Sequence, residues 1–370
     1  MELYNSEFAY GGFVAVGRAC ALIHLRDRGQ EIVKRVKIYS GELFDDRDRY
    51  NILNYVRLIS EYEAARKASE QVLKEGEKSL VLMDGSLYFP CFHYAIRDYQ
   101  HHPILMAELF EAVSSIYKIS VTEVFPFAVV SKDSSAFYLH MMLLKEATIK
   151  AGLKNVASLL EKASSPHDLR LKMVDWLSED KEAFEPLLDA VPLCDIALIG
   201  RSVSKTGFST PLLLVPSIYY ERGSVPSFYN RIEHVVGGAI AKRMFSALDA
   251  FFSTPEVAMT YFKPTLDARP IRVDLSASVL EFKGEWKTIE RSIFIDKKID
   301  LEALIRILNP LRHWFYNKVE YNVSLHNADK IARFDTDLYK SKYEPYLIER
   351  LKEAGLDTTG RRRALREVKR

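Results

Sequence analysis

The feature that most constrains the fold is a long helical pattern that leads almost directly into a short apolar strand. Apolar side chains recur near a 3.6-residue period from Asp48 to Glu75, which predicts one long amphipathic helix that Gly76 is suited to end. The next segment, Ser79–Asp84, is a continuous apolar run that ends in Asp-Gly-Ser. Such a run is typical of a strand buried on both faces of a sheet. A strand of this kind needs helices on both sides, so the chain predicts a layered α/β fold.

The rest of the chain alternates between strand-like and helix-like segments. Residues 139–191 are mostly helical in pattern and rich in charge, so we expect a helical insertion there. The insertion divides a main domain made of residues 1–138 and 192–335, and residues 336–370 form a C-terminal helix and a basic tail. The further predicted elements are a hairpin at Phe13–Leu25 and Ile32–Tyr39, helices at Pro103–Tyr117, Glu233–Phe252, Leu301–Leu308 and Leu325–Arg333, and strands at Phe125–Val130, Asp195–Gly200, Leu212–Tyr220, Tyr261–Lys263 and Ile271–Leu275.

Composition limits the kinds of partner and compartment. The 370 residues include 52 basic and 50 acidic side chains, a formal net charge of +2, so any surface for nucleic acid must be a local patch. Three widely spaced cysteines in apolar stretches indicate buried thiols in a reducing compartment, not zinc ligands or disulfides. No apolar run approaches the about 18 residues of a membrane span, and the N-terminus lacks the regions of a signal peptide. We therefore expect a cytoplasmic protein with no membrane segment.

Asp84 is the strongest single candidate for a catalytic group. It follows the apolar strand, and Gly85 allows the backbone to turn sharply there. A carboxylate on such a rigid support suits Mg²⁺ or Mn²⁺, which prefer oxygen ligands. The alternative is a simple Asp-Gly turn. The chain contains no P-loop, dinucleotide-binding, esterase or zinc-protease signature, which favours a site assembled from scattered carboxylates.

Two further segments could bring ligands to the same site. Glu61 and Glu63 lie on the long helix and point about 200° apart, so one of them at most can face the sheet. The pattern alone selects neither, and both could belong to a solvated helix face. Near the C-terminus, Tyr321 is followed by His326 and Asp329, which lie three residues apart and would share one face of a helix. The alternative there is a capped helix with a surface histidine.

Taken in order, these segments resemble the NurA family, nucleases that work with the hexameric HerA DNA translocase. The resemblance covers most of the chain outside residues 139–191. It implies an RNase H-like fold and a metal-dependent DNA nuclease of the 5′-to-3′ exonuclease and single-strand endonuclease type. It also implies Mn²⁺ or Mg²⁺ as cofactor, DNA and a HerA-type hexameric ATPase as partners, a homodimer, and a role in DNA end resection and repair. The residues that carry the resemblance are LVLMDGSL around Asp84, Val130–Asp133, Thr206–Leu212, Tyr261–Lys263, Ile271–Leu275 and Tyr321–Arg333.

The resemblance also implies a set of site residues. The family's Asp-Gly-Ser-Leu aspartate corresponds to Asp84, and its helix glutamate corresponds to Glu63 or, less favoured, Glu61. Its late tyrosine corresponds to Tyr321, and eight residues later, where the family has histidine, this chain has Asp329. His326, one turn earlier, is a possible substitute for that histidine. The predicted catalytic set is Asp84, Glu63, Tyr321, Asp329 and His326, of which Asp84, Glu63 and Asp329 would bind the metal.

One motif of the family is not found. An Asp-Gly-Ser sequence is expected just before the Gly11-Gly12 strand, and Met1 falls just after its place. Either the first strand is missing from this chain or the first metal ligand has been lost. Two functions follow from these alternatives: an active DNA nuclease, or a NurA-like subunit that binds DNA and the motor without cutting.

DNA binding by a near-neutral chain requires basic side chains concentrated near the site. Lys132, Lys205 and Arg272 are predicted to contact DNA because they lie near the ends of strands that carry carboxylates. Lys132 is the strongest of the three since it directly follows an apolar strand, and the alternative is a solvated loop lysine. The Arg361–Arg363 tail indicates a separate flexible arm for DNA or a partner.

Overall fold

A computed structural model gives the architecture of the chain. Predictions for residues 153–193, which include most of the helical insertion, and for the tail from residue 354 lie outside the part that it describes. The structure describes residues 3–7, 12–25, 29–42, 46–76, 79–87, 96–122, 126–152, 194–214, 225–254, 256–280, 293–294, 301–317, 321–333 and 335–353.

The helices and strands have the following bounds. The strands are β1 (Leu3–Glu7), β2 (Gly12–Leu25), β3 (Gly29–Glu42), β4 (Val81–Asp84), β5 (Phe127–Ser131), β6 (Gly207–Phe208), β7 (Leu212–Leu213), β8 (Val257–Lys263), β9 (Ile271–Ser276) and β10 (Ile293–Phe294). The helices are α1 (Asp46–Lys74), α2 (Ile96–His101), α3 (Pro103–Thr122), α4 (Tyr138–Lys150), α5 (Asp195–Ser202), α6 (Val225–Val235), α7 (Gly238–Phe252), α8 (Leu301–His313) and α9 (Val323–Ala332). After α9, α10 (Thr336–Leu338) continues through a π-helical turn (Tyr339–Tyr343) into α11 (Glu344–Glu353). Across the described ranges, none of these helices combines the length and apolarity needed to cross a membrane.

The strands form two sheets. β1, β2 and β3 make an antiparallel three-stranded sheet in that order, and the predicted hairpin is confirmed as β2 and β3. The larger sheet has the order β10-β7-β8-β9-β5-β4, with β6 paired to β8. Within it β4 and β5 are parallel, with Val81 opposite Phe127, and the other neighbours are antiparallel. A mixed sheet flanked by helices confirms the predicted α/β class.

The larger sheet is buried on both faces: every residue of β8 and β9 is buried, and β5 is buried from Phe127 to Val130. In β5, Phe127 and Val129 belong to one hydrophobic cluster, which also contains residues of α1, α3 and α7. Ala128 and Val130 belong to a second cluster, which contains residues of α8. Side chains alternate between the faces of a strand, so this division shows helices packed on both sides of the sheet. Polar residues begin where β4 and β5 end, at Asp84 and Ser131.

Three predicted elements differ from the structure. Asp195–Gly200, predicted as a strand, is the helix α5, because its two isoleucines lie three residues apart and pack on the core, and so short an apolar run does not distinguish the two states. The single helix predicted over Glu233–Phe252 is two helices, α6 and α7, which break at Gly238, where φ is 68°. The strand predicted over Leu212–Tyr220 is present as β7, and residues 215–220 are outside the described ranges.

Candidate active site

A cleft of about 850 Å³ opens where the two sheets approach each other. Residues of β2 line one side of it and residues of β4 line the other, while α1 and α9 also contribute to its walls. Three carboxylates from three different elements face this cleft: Glu61 from α1, Asp84 from β4 and Asp329 from α9. The cleft therefore brings together acidic residues that lie far apart in the sequence.

Asp84 stands at the carboxyl end of β4 and is exposed to the cleft. Gly85, with a φ of 123°, turns the chain immediately after it. Tyr321 reaches the same carboxylate from 237 residues away in sequence, and its Oη donates to Asp84 Oδ1 at 3.3 Å. The fold thus brings together the Asp-Gly-Ser segment and the C-terminal segment.

Tyr321 has an unusual backbone conformation. Its φ is 36°, in the left-handed region that bulky side chains rarely adopt. Hydrogen bonds hold it there: the Tyr321 amide donates to the Asn317 carbonyl at 2.9 Å, and its own carbonyl accepts from the Tyr316 amide at 3.2 Å. Asn322 then caps α9 by accepting from the Leu325 amide at 3.1 Å. A strained residue that hydrogen-bonds to a carboxylate of the cleft is typical of a functional position.

The helix glutamate that faces the cleft is Glu61. It lines the cleft together with Asp84, whereas Glu63 does not. Arg57, Glu61 and Ala65 follow one another at four-residue intervals along the cleft side of α1. Glu63 lies about 200° around the helix from Glu61 and so belongs to another face. The structure therefore places the less favoured of the two predicted glutamates beside Asp84.

The acidic side chains of the cleft affect one another electrostatically. Burial raises the pKa of Glu61 to about 7; Arg57 opposes this effect, and the negative charges of Asp84 and Asp329 add to it. The pKa of Asp84 is also raised, chiefly by burial, with Lys132 acting in the opposite direction. Because these carboxylates repel one another, a bound cation would be stabilised by all of them.

Of the two candidates on α9, Asp329 lines the cleft and His326 does not. Arg333 lies one turn after Asp329, with its Nη2 3.7 Å from Asp329 Oδ2. The position at which the resemblance implies a histidine is thus occupied by a carboxylate that faces Asp84 across the cleft. The geometry does not support His326 as a substitute for that histidine.

The donor chemistry of the cleft suits a hard divalent cation, but its ligand set is partial. Glu61, Asp84 and Asp329 present carboxylate oxygens, which Mg²⁺ and Mn²⁺ prefer. Within the described ranges, no three His, Cys, Asp or Glu side chains lie close enough together to hold a metal ion. Mg²⁺ is commonly held by one or two carboxylates, with water and substrate phosphates as its remaining ligands. The cleft therefore fits a cation that binds together with a phosphate-bearing substrate.

A buried ion pair fixes the loop that follows Asp84. The Arg272 guanidinium donates to Asp274 from Nε at 2.6 Å and from Nη2 at 2.8 Å. Asp274 also accepts from Ser86 Oγ at 2.8 Å and from the Leu87 amide at 3.0 Å, which ties the loop to the middle of the sheet. Arg272 is 5% exposed, so the prediction that it contacts DNA is replaced by a structural role. Asp274 was not among the residues predicted from the sequence, although two opposite charges two residues apart in a strand-like segment indicate such a pair.

The two predicted DNA-contacting lysines lie in different places. Lys132 is exposed beside the cleft, with its Nζ 5.4 Å from the centre of the Tyr321 ring, and its charge acts on Asp84. Lys205 is also exposed, but it lines a separate groove of about 570 Å³ between α4, α5, β6 and β8. Of the three predicted contacts, Lys132 is therefore the one that lies next to the carboxylates.

Comparison with known proteins gives a family. A search among curated proteins finds no match. Among solved structures, the crystal structure of the NurA nuclease from Sulfolobus solfataricus aligns with a TM-score of 0.39 and 14% sequence identity, covering 95% of this chain and 88% of that chain. The family model of the NurA domain matches residues 5–334. Because this match spans most of the sequence, the chain belongs to the NurA family.

Proposed function

We propose that this protein is a metal-dependent DNA nuclease of the 5′-to-3′ exonuclease and single-strand endonuclease type. The observation that carries the proposal is the meeting of Glu61, Asp84 and Asp329 in one cleft, with Tyr321 hydrogen-bonded to Asp84 at 3.3 Å. Membership of the NurA family supports it further. The proposed cofactor is Mn²⁺ or Mg²⁺, because the donors are carboxylate oxygens.

The cleft residues have separate roles in this proposal. Asp84 and Glu61 would hold the cation together with a phosphate of the substrate, and Asp329 would add its negative charge from the same cleft. The cation would supply an activated water and neutralise charge that develops on the phosphate. The hydrogen bond from Tyr321 Oη orients the Asp84 carboxylate. Lys132, at the rim, neutralises a phosphate of the strand that enters the cleft. Burial raises the pKa of Glu61 to about 7, so below this pH a bound cation would have to displace a proton from its carboxyl.

The biological context is proposed from family membership alone. We infer that the protein works in the cytoplasm in DNA end resection and repair, as a homodimer that engages a HerA-type hexameric ATPase. Light scattering after size-exclusion chromatography tests the dimer, and the same measurement with the HerA-type ATPase of the same genome tests the partner. A monomer that stays separate from the ATPase would contradict this context without affecting the proposal of nuclease activity.

Nuclease activity is tested with end-labelled single-stranded and duplex DNA in Mn²⁺, in Mg²⁺ and with a chelator. We expect metal-dependent products, and loss of activity by at least about 100-fold in Asp84→Asn and Glu61→Gln, because a catalytic cation contributes several kcal/mol. Glu63→Gln is the matched control, since it removes the same charge from the same helix but outside the cleft. Loss of activity in Glu63→Gln with normal activity in Glu61→Gln would contradict the assignment.

A second function, binding of DNA and a motor without cutting, is favoured by one observation. The described residues contain no group of three ligands close enough for a metal ion, so the cation would depend on substrate for its remaining ligands. The two functions differ in outcome: the non-cutting subunit would bind DNA with normal salt dependence but yield no products in either metal.

A further inference from the structure

The groove of about 570 Å³ between α4, α5, β6 and β8 lies at the same edge of the larger sheet as the cleft. β4 ends at that edge with Asp84, beside the end of its parallel neighbour β5. β5 ends where β9 begins, since Ser131 pairs with Arg272, and β9 begins where its antiparallel neighbour β8 ends. β8 ends at Lys263, opposite Gly207 of β6 in the wall of the groove. We call this row of strand termini, from Asp84 to Gly207, the strand-end edge.

The strand-end edge is long enough for several nucleotides. The strands follow one another in the order β4, β5, β9, β8 and β6, so four inter-strand intervals separate Asp84 from the groove. At about 4.8 Å for each interval, the separation is roughly 19 Å. A stacked DNA strand advances roughly 3.4 Å per nucleotide, so about six nucleotides of a stacked strand, or fewer of an extended one, cover this distance. A strand that is cut at Asp84 therefore reaches the groove within about six nucleotides.

Lys263 is a buried cation without a counter-ion in the part of the chain that the structure describes. Its side chain lines the groove and is 8% exposed. Lys263 Nζ donates to the carbonyl of Val203, just past the end of α5, at 2.8 Å, and it forms no salt bridge with another described residue. Glu146, the one carboxylate among the described lining residues, does not pair with it. An ammonium group has three donors, and a buried charge is costly unless it is paired, so an anion in the groove would be favourable.

Further basic side chains lie along the strand-end edge. α5 ends against the turn between β8 and β9, since Gly200 lies next to Pro270. The exposed cations of this region are Lys132 after β5, Arg269 in the turn, Arg201 at the end of α5 and Lys205 before β6. Within the described ranges, none of these four forms a salt bridge. The carboxylates of the same region are Asp133, Glu146 and Asp267. With Lys263, five cations thus lie near three carboxylates, which favours a polyanion.

Phe208 adds an aromatic surface to these charges. It is 37% exposed, whereas Phe262, its partner on β8, is 6% exposed. Phe262 belongs to the hydrophobic cluster that contains Tyr321, and paired residues of antiparallel strands project from the same face. Phe208 also lines the groove, so it lies between the groove and the face that carries Tyr321. A basic groove with an exposed aromatic ring is the arrangement by which proteins bind single-stranded nucleic acid.

We propose that the groove binds one nucleotide of a single DNA strand whose scissile phosphate lies at Asp84. Lys205 and Lys263 contact the phosphate of that nucleotide, and Phe208 stacks on its base. A base that is paired within a duplex is not available for such stacking, so the groove selects single strands. This proposal rests on the proposed nuclease function, because it gives a second contact to the same substrate.

The test measures binding in the presence of a chelator, so that it does not depend on cutting. The full chain is titrated into a fluorescein-labelled thymidylate strand of about twelve nucleotides and followed by fluorescence anisotropy. Phe208→Ala should weaken binding by about fivefold or more, because it removes one stacked base. Phe208→Tyr should restore the affinity, whereas Phe208→Leu, which keeps an apolar side chain without a ring, should not. Val36→Ala, at an exposed position of β3, is the control and should change nothing.

The lysine contact is tested by the dependence of binding on salt. Lys205→Ala should make the slope of log affinity against log salt concentration shallower by about 0.7, because one phosphate contact is lost. Lys242→Ala, at an exposed position of α7, should leave the slope unchanged. Phe208→Ala should leave the affinity for a duplex of the same length unchanged. Native-like binding of the single strand by Phe208→Ala, or an equal loss with the duplex, would overturn the proposal.

A photo-crosslinking measurement locates the nucleotide. Strands that carry one 5-iodouracil at successive positions should crosslink to Phe208 from one position, at most about six nucleotides from the bond that is cut in Mn²⁺. Normal cleavage with no crosslink to Phe208 would overturn this proposal alone. Binding effects and a crosslink as expected, but no cleavage in either metal, would support the groove and contradict the nuclease. Normal DNA binding by Phe208→Ala, with loss of binding to the HerA-type ATPase, would overturn the proposal in favour of a protein partner.

Discussion

Replacement of Arg272 by methionine should destabilise the protein by about 3–5 kcal/mol, because it leaves Asp274 as a buried charge without its cation. The two side chains are 6% and 1% exposed and their closest atoms are 2.6 Å apart. Asp274 would keep the hydrogen bonds from Ser86 and Leu87, which places the loss towards the lower end of that range. Native proteins have about 5–15 kcal/mol of stability in total, so the effect is large.

The measurement is urea denaturation followed by far-ultraviolet circular dichroism. The free energy of unfolding and the urea concentration at the midpoint should both fall, while the dependence of that free energy on urea concentration stays unchanged. Arg243→Met is the control, because it breaks the pair of Arg243 with Glu111 at 2.7 Å, whose side chains are 44% and 42% exposed. Exposed pairs contribute about 0–1 kcal/mol. If Arg272→Met lost no more than this control, the reasoning about the buried pair would be refuted.

Three further predictions concern the cleft. The affinity for Mn²⁺, measured by calorimetry, should fall as pH is lowered from 8 to 6, because burial gives Glu61 a pKa of about 7 and a protonated carboxyl does not bind metal. In Glu61→Gln this part of the pH dependence should disappear. An unchanged pH profile in that variant would count against Glu61 as a metal ligand. Tyr321→Phe removes the hydrogen bond to Asp84, so it should lower the free energy of unfolding by about 1 kcal/mol in denaturant titrations and should lower the rate of DNA cleavage. An unaltered cleavage rate would mean that this bond does not orient the Asp84 carboxylate. Lys132→Ala should weaken binding of single-stranded DNA and should make the slope of log affinity against log salt concentration shallower by about 0.7. Lys242→Ala, at an exposed position of α7, should change neither the affinity nor the slope. Equal effects of the two substitutions would show that Lys132 makes no specific phosphate contact.

The part of the fold that the sequence predicted well is the part with long or continuous apolar patterns. The helix predicted over Asp48–Glu75 is α1, and the run at Ser79–Asp84 contains β4, because many residues contribute to each pattern. The strand predicted over Asp195–Gly200 was wrong because six residues are too few to define a helical or strand period. Its state depends on tertiary contacts: Asp195 accepts from the amides of Leu139 and His140 at the start of α4.

The candidate site was predicted in part for a similar reason. Asp84 and Tyr321 could be named from motifs, but their contact depends on how the chain folds over 237 residues. The choice between Glu61 and Glu63 depends on the rotation of α1 about its axis. A row of Arg57, Glu61 and Ala65 at four-residue spacing marks the cleft side of α1, and that spacing was the signal available in the sequence.

The contact between Tyr321 and Asp84 has a consequence for protein synthesis. β4 pairs with β5, which comes more than 40 residues later, and Tyr321 and Asp329 come from the segment around α9, 237 residues or more after Asp84. Contacts between residues far apart in sequence form late, because the intervening chain must be ordered first. A ribosome-bound chain that has emerged only as far as residue 320 has its Asp84 but neither Tyr321 nor Asp329. We therefore expect that an incomplete chain cannot assemble the cleft, so that DNA meets the carboxylates together once the chain is complete through α9.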